Sequence, residues 1–349
     1  MKKAIIFLLF HLLIVNATRA QQGIISPVPS SKPTKYQLEQ INRKYGMFIH
    51  FSINTFHDVE WSDGSLPASS YSPTVVDADQ WAKTAKDAGM KYIILVTKHH
   101  DGFCLWDSKY TDYDVANSGN KTNVVAVLAK ACNKYGIGLG LYYSLWDRHQ
   151  NANIDDTTLD KAYNKYMIDQ LNELISIAQK CHTKIVEFWF DGSWVKPNNR
   201  WPVAEIYTTI KSKEPQCQVG INWSIGDPAN ADQHMVLPTQ QKEGYPIRYF
   251  PSDFRLGDPY LPANPDPKTF VHNGKTYYMP WESTMCISGK WFYNTKDTVY
   301  KSIDILAKDY KIATAQNNIL ILDAPPNRQG KIRQKDIDIL MKLKRAVSK

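Results

Sequence analysis

Cysteine is scarce and scattered. Five cysteines in 349 residues, Cys104, Cys132, Cys181, Cys217 and Cys286, form no Cys-x-x-Cys pair, which argues against a zinc ribbon, a dithiol redox motif or a disulfide-built scaffold. They read as small buried hydrophobes. No Gly-x-Gly-x-x-Gly turn follows an early strand-like run, as a dinucleotide-binding sheet would need. Lys and Arg are nowhere clustered among stacking aromatics, so no nucleic-acid partner is expected.

Long apolar runs are also missing. The longest, Ala4 to Val15 behind Lys2 and Lys3, falls short of the roughly 20 residues that span a bilayer. It is followed by a polar stretch ending Thr18-Arg19-Ala20 and reads as a cleaved export signal over residues 1–20, leading to the periplasm or outside the cell, without stable membrane insertion. Three of the 42 basic side chains lie in that segment and none of the 34 acidic ones, so the mature chain carries a net charge of only +5. Aromatics, in contrast, are plentiful: 10 Trp and 20 Tyr suit sugar rings as well as a core.

From residue 21 to 349 the chain alternates β-branched, aromatic runs with segments of helical period. Strands are predicted over 45–53, 91–97, 137–144, 184–190, 217–223, 277–282 and 318–322. Helices are predicted over 77–88, 124–135, 160–181, 203–213, 299–316 and 334–347, with Gly89 and Gly136 as C-terminal stops. Repeated βα units predict an α/β fold, a single-domain (β/α)8 TIM-like barrel, with an open doubly wound sheet as its rival. The Pro- and Gly-rich stretch 227–273 is assigned to loops over the barrel mouth.

In such barrels chemistry stands where strands end. His50 lies near the end of the first strand, and the second runs into Lys98-His99-His100-Asp101. The third ends in Tyr142-Tyr143-Ser144, and the fourth in Trp189-Phe190-Asp191, with Glu187, Trp189 and Asp191 on one face. No helix opens directly after Asp191, which argues against a plain N-cap. Adjacent histidines point to opposite faces unless the strand ends between them, so His99-His100 does not suit a His-x-His metal pair. Both fit better as hydrogen-bond partners of a polyol. Pro280-Trp281-Glu282 is read as the end of a later strand. Glu282, with Trp281, Tyr278 and Trp291 near it in sequence, has the apolar setting that raises a general acid's pKa. Glu60-Trp61 in the loop after the first strand is the reserve.

These segments together resemble the α-L-fucosidases of glycoside hydrolase family 29. They are KYGMFIHFSINTF with Glu60-Trp61 behind it, DADQWAKTAKDAGMKYIILVTKHHDGFCLW, NVVAVLAKACNKYGIGLGLYYSLWD, IVEFWFDGSW, PWESTMCISGKWFY and NNILILDAPPNRQGKI. The resemblance implies a retaining exo-glycosidase that removes terminal α-L-fucose from a fucosylated oligosaccharide or glycoconjugate, with no metal or organic cofactor. It makes Asp191 the nucleophile. Glu282 resembles the acid/base of the subfamily acting on α1,3/4 linkages. His50, His99, His100, Tyr142 and Trp189 would bind the sugar, with Trp291 as an apolar wall for its methyl group. The family's common C-terminal β-sandwich is not expected here. The alternatives are the same fold acting on a related sugar such as α-galactose, or a fucose-binding barrel without catalysis.

Overall fold

The computed structural model describes residues 23–150, 156–229 and 235–348; the predicted export signal over 1–20 lies outside them. Eight parallel strands close into a barrel in sequential order. They are β1 (Tyr45–Ile49), β2 (Tyr92–Lys98), β3 (Gly138–Ser144), β4 (Ile185–Asp191), β5 (Gln218–Asn222), β6 (Phe254–Leu256), β7 (Trp281–Cys286) and β8 (Ile319–Asp323). The β8 strand returns to β1 with Phe48 opposite Asp323.

The helices are α1 (Lys35–Arg43), α2 (Ala78–Asp87), α3 (Val124–Tyr135), α4 (Asp160–Lys180), α5 (Val203–Lys213), α6 (Ile303–Thr314) and α7 (Gln334–Val347). Their starts follow from side-chain acceptors for otherwise orphaned amides: Asp77 caps α2 through the Gln80 amide, Asn123 caps α3 through Ala126, and Ser302 caps α6 through Ile305. Gly136 ends α3 at φ 64°, a left-handed position that suits glycine. Tight packing of strands against helices buries Trp81, Leu128, Leu171, Ile210, Leu306 and Leu340 in one continuous core.

Two expectations are corrected between β5 and β7. The stretch 227–273 is not all loop, because it contains β6, a barrel strand only three residues long with Pro251 and Pro259 on either side. It also contributes to a small sheet of Tyr245–Pro246, Thr269–His272 and Lys275–Tyr278, with its own core of Ile225, Ile247, Phe270, Tyr277 and Met279. The strand predicted over 277–282 is in fact two: the sheet strand stops at Tyr278, and β7 starts at Trp281. Pro280, which lacks an amide donor, marks the break.

That break moves Glu282 from the end of a strand to the beginning of one. Helix α1 closes the barrel floor beneath it. The Arg43 guanidinium stands 5.2 Å over the Tyr92 ring and 3.9 Å from Glu187, while the Gln40 amide donates to Glu187 at 3.2 Å. Glu282 accepts from the Tyr92 hydroxyl at 3.0 Å and is fully buried.

Candidate active site

The opposite end of the barrel holds a small pocket lined by Phe48, His50, Trp61, His99, His100, Tyr142, Trp189, Asp191, Trp194, Asp258 and Trp291. Strand alternation places its floor: Trp189 and Asp191 share the inward face of β4, and the Tyr142 ring from β3 stacks on Trp189 at 5.3 Å. The Asp191 carboxylate accepts from the Tyr142 hydroxyl at 2.8 Å and from the Asn222 amide at 3.0 Å. The same Asn222 nitrogen donates to Asp258 at 2.5 Å. One amide thus bridges two carboxyl groups, whose bonded oxygens stand no more than about 5.5 Å apart.

Burial raises the pKa of Asp191, opposed by the hydrogen bonds from Asn222 and Tyr142. Burial and then the neighbouring Asp191 charge push Asp258 up to about 6. Asp258 is the more accessible of the two, since Asp191 is buried and Asp258 only partly so. Two nearby carboxyls that titrate together can supply one ionised and one protonated member.

The histidines present ring nitrogens to the pocket. His50 Nδ1 is engaged by Asp323 at 2.8 Å, which leaves Nε2 for a ligand. Burial lowers the His50 pKa to about 4 and that of His100 to about 3, so both are neutral at pH 7. The Ser144 hydroxyl donates to the Trp146 carbonyl at 2.5 Å and therefore accepts from His100 Nδ1 at 2.7 Å. His100 Nε2 then carries a lone pair, 3.5 Å from Asp191. A hydroxyl donor from a ligand satisfies both. His99 lies against Tyr142 at 5.9 Å, with its Nδ1 unpartnered. Strand β2 ends at Lys98, so both histidines lie beyond the pleat and line one pocket. The buried indole N–H of Trp189 has no partner either, which leaves a donor for a ligand.

Aromatic walls complete the pocket. Trp291 lies 5.2 Å from His50, and the neighbouring Phe292 packs edge-on to His50 and His99 at 5.2 and 5.1 Å. Glu60 does not line the pocket; its carboxylate accepts from the Trp291 backbone amide at 2.9 Å and so anchors that wall. Trp61 stands at the rim, half exposed and edge-on to His100 at 4.9 Å. Among the described residues no group of three or more His, Cys, Asp or Glu side chains could hold a metal ion.

Of the predicted residues, the structure brings His50, Trp61, His99, His100, Tyr142, Trp189, Asp191 and Trp291 together. Glu60 stands behind them. Glu282 does not belong with them: it shares the barrel floor with Glu187, four residues before Asp191 on β4, and four residues of strand span about 13 Å. The reading of Glu282 as general acid is therefore withdrawn. Its carboxyl is pushed well above the ordinary range by burial and then by the Glu187 charge.

A folded-state pKa above the unfolded one gives stability that is complete below about 4.3 and is lost as pH rises through the folded value. Glu282→Gln keeps the shape without the charge. It should raise the melting temperature more at pH 8 than at pH 5 and leave activity within a few-fold of wild type, read by calorimetry and by initial rates. Glu282→Ala should cost about 2–4 kcal/mol through the cavity it leaves.

Asn222, Asp258, Trp194 and Asp323 were not singled out in the sequence. Asn222 and Asp323 end β5 and β8, so the rule that pointed to Asp191 could have found them. Asp258 follows a strand too short to recognise, and Trp194 sits on a turn.

A family model described as Alpha-L-fucosidase matches residues 57–346. Alpha-L-fucosidase 1 of Arabidopsis thaliana is 32% identical over 332 residues, which cover 90% of this chain and 59% of the plant protein. A rice protein, a candidate α-L-fucosidase, is 31% identical over 327 residues, with coverages of 90% and 58%. The chain thus spans less than two thirds of the length of these relatives. A crystal structure of a candidate α-L-fucosidase from Bacteroides thetaiotaomicron superposes with a TM-score of 0.73 at 30% identity, covering 92% of this chain and 69% of that one. A glycoside hydrolase 29 family member from an unknown rumen bacterium gives a TM-score of 0.72 at 27% identity, covering 90% and 56%.

Proposed function

The chain belongs to the α-L-fucosidase family, and from that premise we propose that it is an exported, retaining exo-glycosidase that releases terminal α-L-fucose from glycans. The observation that carries the mechanism is the single Asn222 amide shared by Asp191 and Asp258 in one pocket. Asp191, held by Tyr142 and Asn222, attacks the anomeric carbon as the carboxylate. Asp258, in the role first given to Glu282, passes its proton to the glycosidic oxygen as the carbon–oxygen bond breaks. A water then attacks the fucosyl–Asp191 ester, returns a proton to Asp258 and frees fucose with its original anomeric configuration.

The proposed sugar contacts follow from the same geometry. Neutral His100 accepts from a ring hydroxyl, His50 offers its Nε2 to another sugar oxygen, and the Trp189 indole donates to a third. Trp291 and Phe292 give the apolar surface that suits a methyl group at C6; a hydroxymethyl there would lose its hydrogen bonds. That favours fucose over galactose. The α1,3/4 linkages of fucosylated glycans are the first to test within this proposal.

An aryl α-L-fucoside should be hydrolysed at least about 100-fold faster than the matching α-L-galactoside, which differs only by the hydroxyl at C6, a discrimination of roughly 3 kcal/mol. Proton NMR of the first product should show α-fucose before mutarotation. Galactoside preference would overturn the substrate, β-fucose the mechanism, and inertness toward both together with fucose binding would indicate a binding protein.

A further inference from the structure

The two carboxyls give the pocket a direction. His50, His99 and Trp291 come from the arc of the barrel around β1, β2 and the loop after β7, whereas Asp191, Asn222 and Asp258 stand at the ends of β4, β5 and β6. The acid faces the oxygen that joins fucose to its neighbour. The group cleaved from fucose therefore lies over the arc from β4 to β6.

Aromatic residues stand on that arc. Trp194 lines the pocket beside His100, with ring centres 5.8 Å apart. Its turn is tied to β5 by the Ser193 hydroxyl donating to the Asn222 carbonyl at 3.1 Å. Tyr260, two residues past Asp258, is 37% exposed and packs edge-on to Trp223 at 5.6 Å.

Trp223 directly follows Asn222 and has a φ of 59°, a left-handed backbone that is costly for a bulky residue and persists where the surroundings enforce it. At Gly257 the backbone passes so close that a Cβ would come 2.4 Å from the Trp281 ring and 3.3 Å from that of Trp223. The chain entering the Asp258–Tyr260 loop thus runs close against both indole rings. The Tyr260 amide closes its turn on the Gly257 carbonyl at 3.0 Å.

We propose that Trp194 and Tyr260 are specificity-determining residues that hold the sugar from which fucose is cleaved. The inference rests on the assignment of Asp191 and Asp258 above. Flat aromatic faces cover the apolar face of a pyranose, and Trp194 and Tyr260 also carry an N–H and a hydroxyl for its polar edge.

The test compares two substrates that share fucose. α-L-Fucosyl fluoride has no second sugar and leaves without a proton donor, whereas fucosyl-α1,3-N-acetylglucosamine needs both. In Tyr260→Ala and Trp194→Ala the ratio of kcat/KM on the disaccharide to that on the fluoride should fall about tenfold or more, as expected for losing one ring's worth of buried apolar contact. Tyr260→Phe should keep most of it. A ratio within twofold of wild type in both alanine variants, or an equal fall on both substrates, would overturn this role. A wild-type enzyme inert toward the fluoride would overturn the fucosidase reading itself. Since Tyr260 is at the surface, an unchanged melting temperature separates these effects from misfolding.

Discussion

Replacing Asp191 by glycine should lower kcat on an aryl α-L-fucoside by about 10⁴-fold or more, the scale seen when a nucleophile is removed and the rest of a site is left in place. The side chain ends β4 with its oxygens held by Tyr142 and Asn222, so its loss leaves a space bordered by donors that favour an anion. Added azide should enter that space and restore turnover, yielding β-L-fucosyl azide by attack on the face opposite the leaving group. A glycine variant that keeps most of its activity would move the nucleophile elsewhere. The same loss without rescue would fit a structural part for Asp191, and the recovered folding transition would decide between collapse and blocked access.

Asp258→Asn should divide substrates by leaving group. On fucosyl-α1,3-N-acetylglucosamine, whose leaving oxygen needs a proton, kcat should fall by about 10² to 10⁴, the usual contribution of a positioned acid. On α-L-fucosyl fluoride the fall should stay within about tenfold, because fluoride departs unassisted. The pH profile supplies a second readout with a definite sign. Asp258 is pushed up to about 6, so it holds its proton below that pH and loses it above. Wild-type kcat/KM on the disaccharide should therefore decline on the basic side near that value, and in Asp258→Asn this decline should vanish. Equal losses on both substrates with an unchanged profile would take the acid role from Asp258. Glu60, which anchors Trp291 through its backbone amide, would then be the next residue to test.

Much of this architecture was legible in the chain because βα units write clear signals. Helices α3, α5 and α7 fall on the predicted residues, and α2 begins one residue after Asp77 because Asp77 is its cap. The reading failed where the units lose their helices. Between β5 and β7 the chain builds a small sheet and a three-residue barrel strand, and neither length nor period marks Phe254–Leu256 as part of a barrel. Asp258 was missed for that reason.

Glu282 failed for a related one. In sequence it sits among Trp281, Tyr278 and Trp291, an apolar setting that fits a general acid, and it is deeply buried. Burial alone does not say which end of the barrel a residue occupies. Only the break at Pro280, which makes Trp281 the first residue of β7, places the carboxyl on the floor with Glu187 and Tyr92. Asp191 carried no such ambiguity, because it closes an unbroken run of seven strand residues. The histidine pair was legible by type, but its placement turned on where the strand stops: the end of β2 at Lys98 brings both rings to one pocket.

The most direct test of the account is to treat the protein with 2-deoxy-2-fluoro-α-L-fucosyl fluoride, digest it and map the adduct by mass spectrometry. The account predicts one fluorofucosyl group per chain, on the peptide that contains Trp189 to Gly192, and no label in Asp191→Gly. A label on another carboxylate, or hydrolysis of aryl fucosides by a chain that never acquires one, would contradict it.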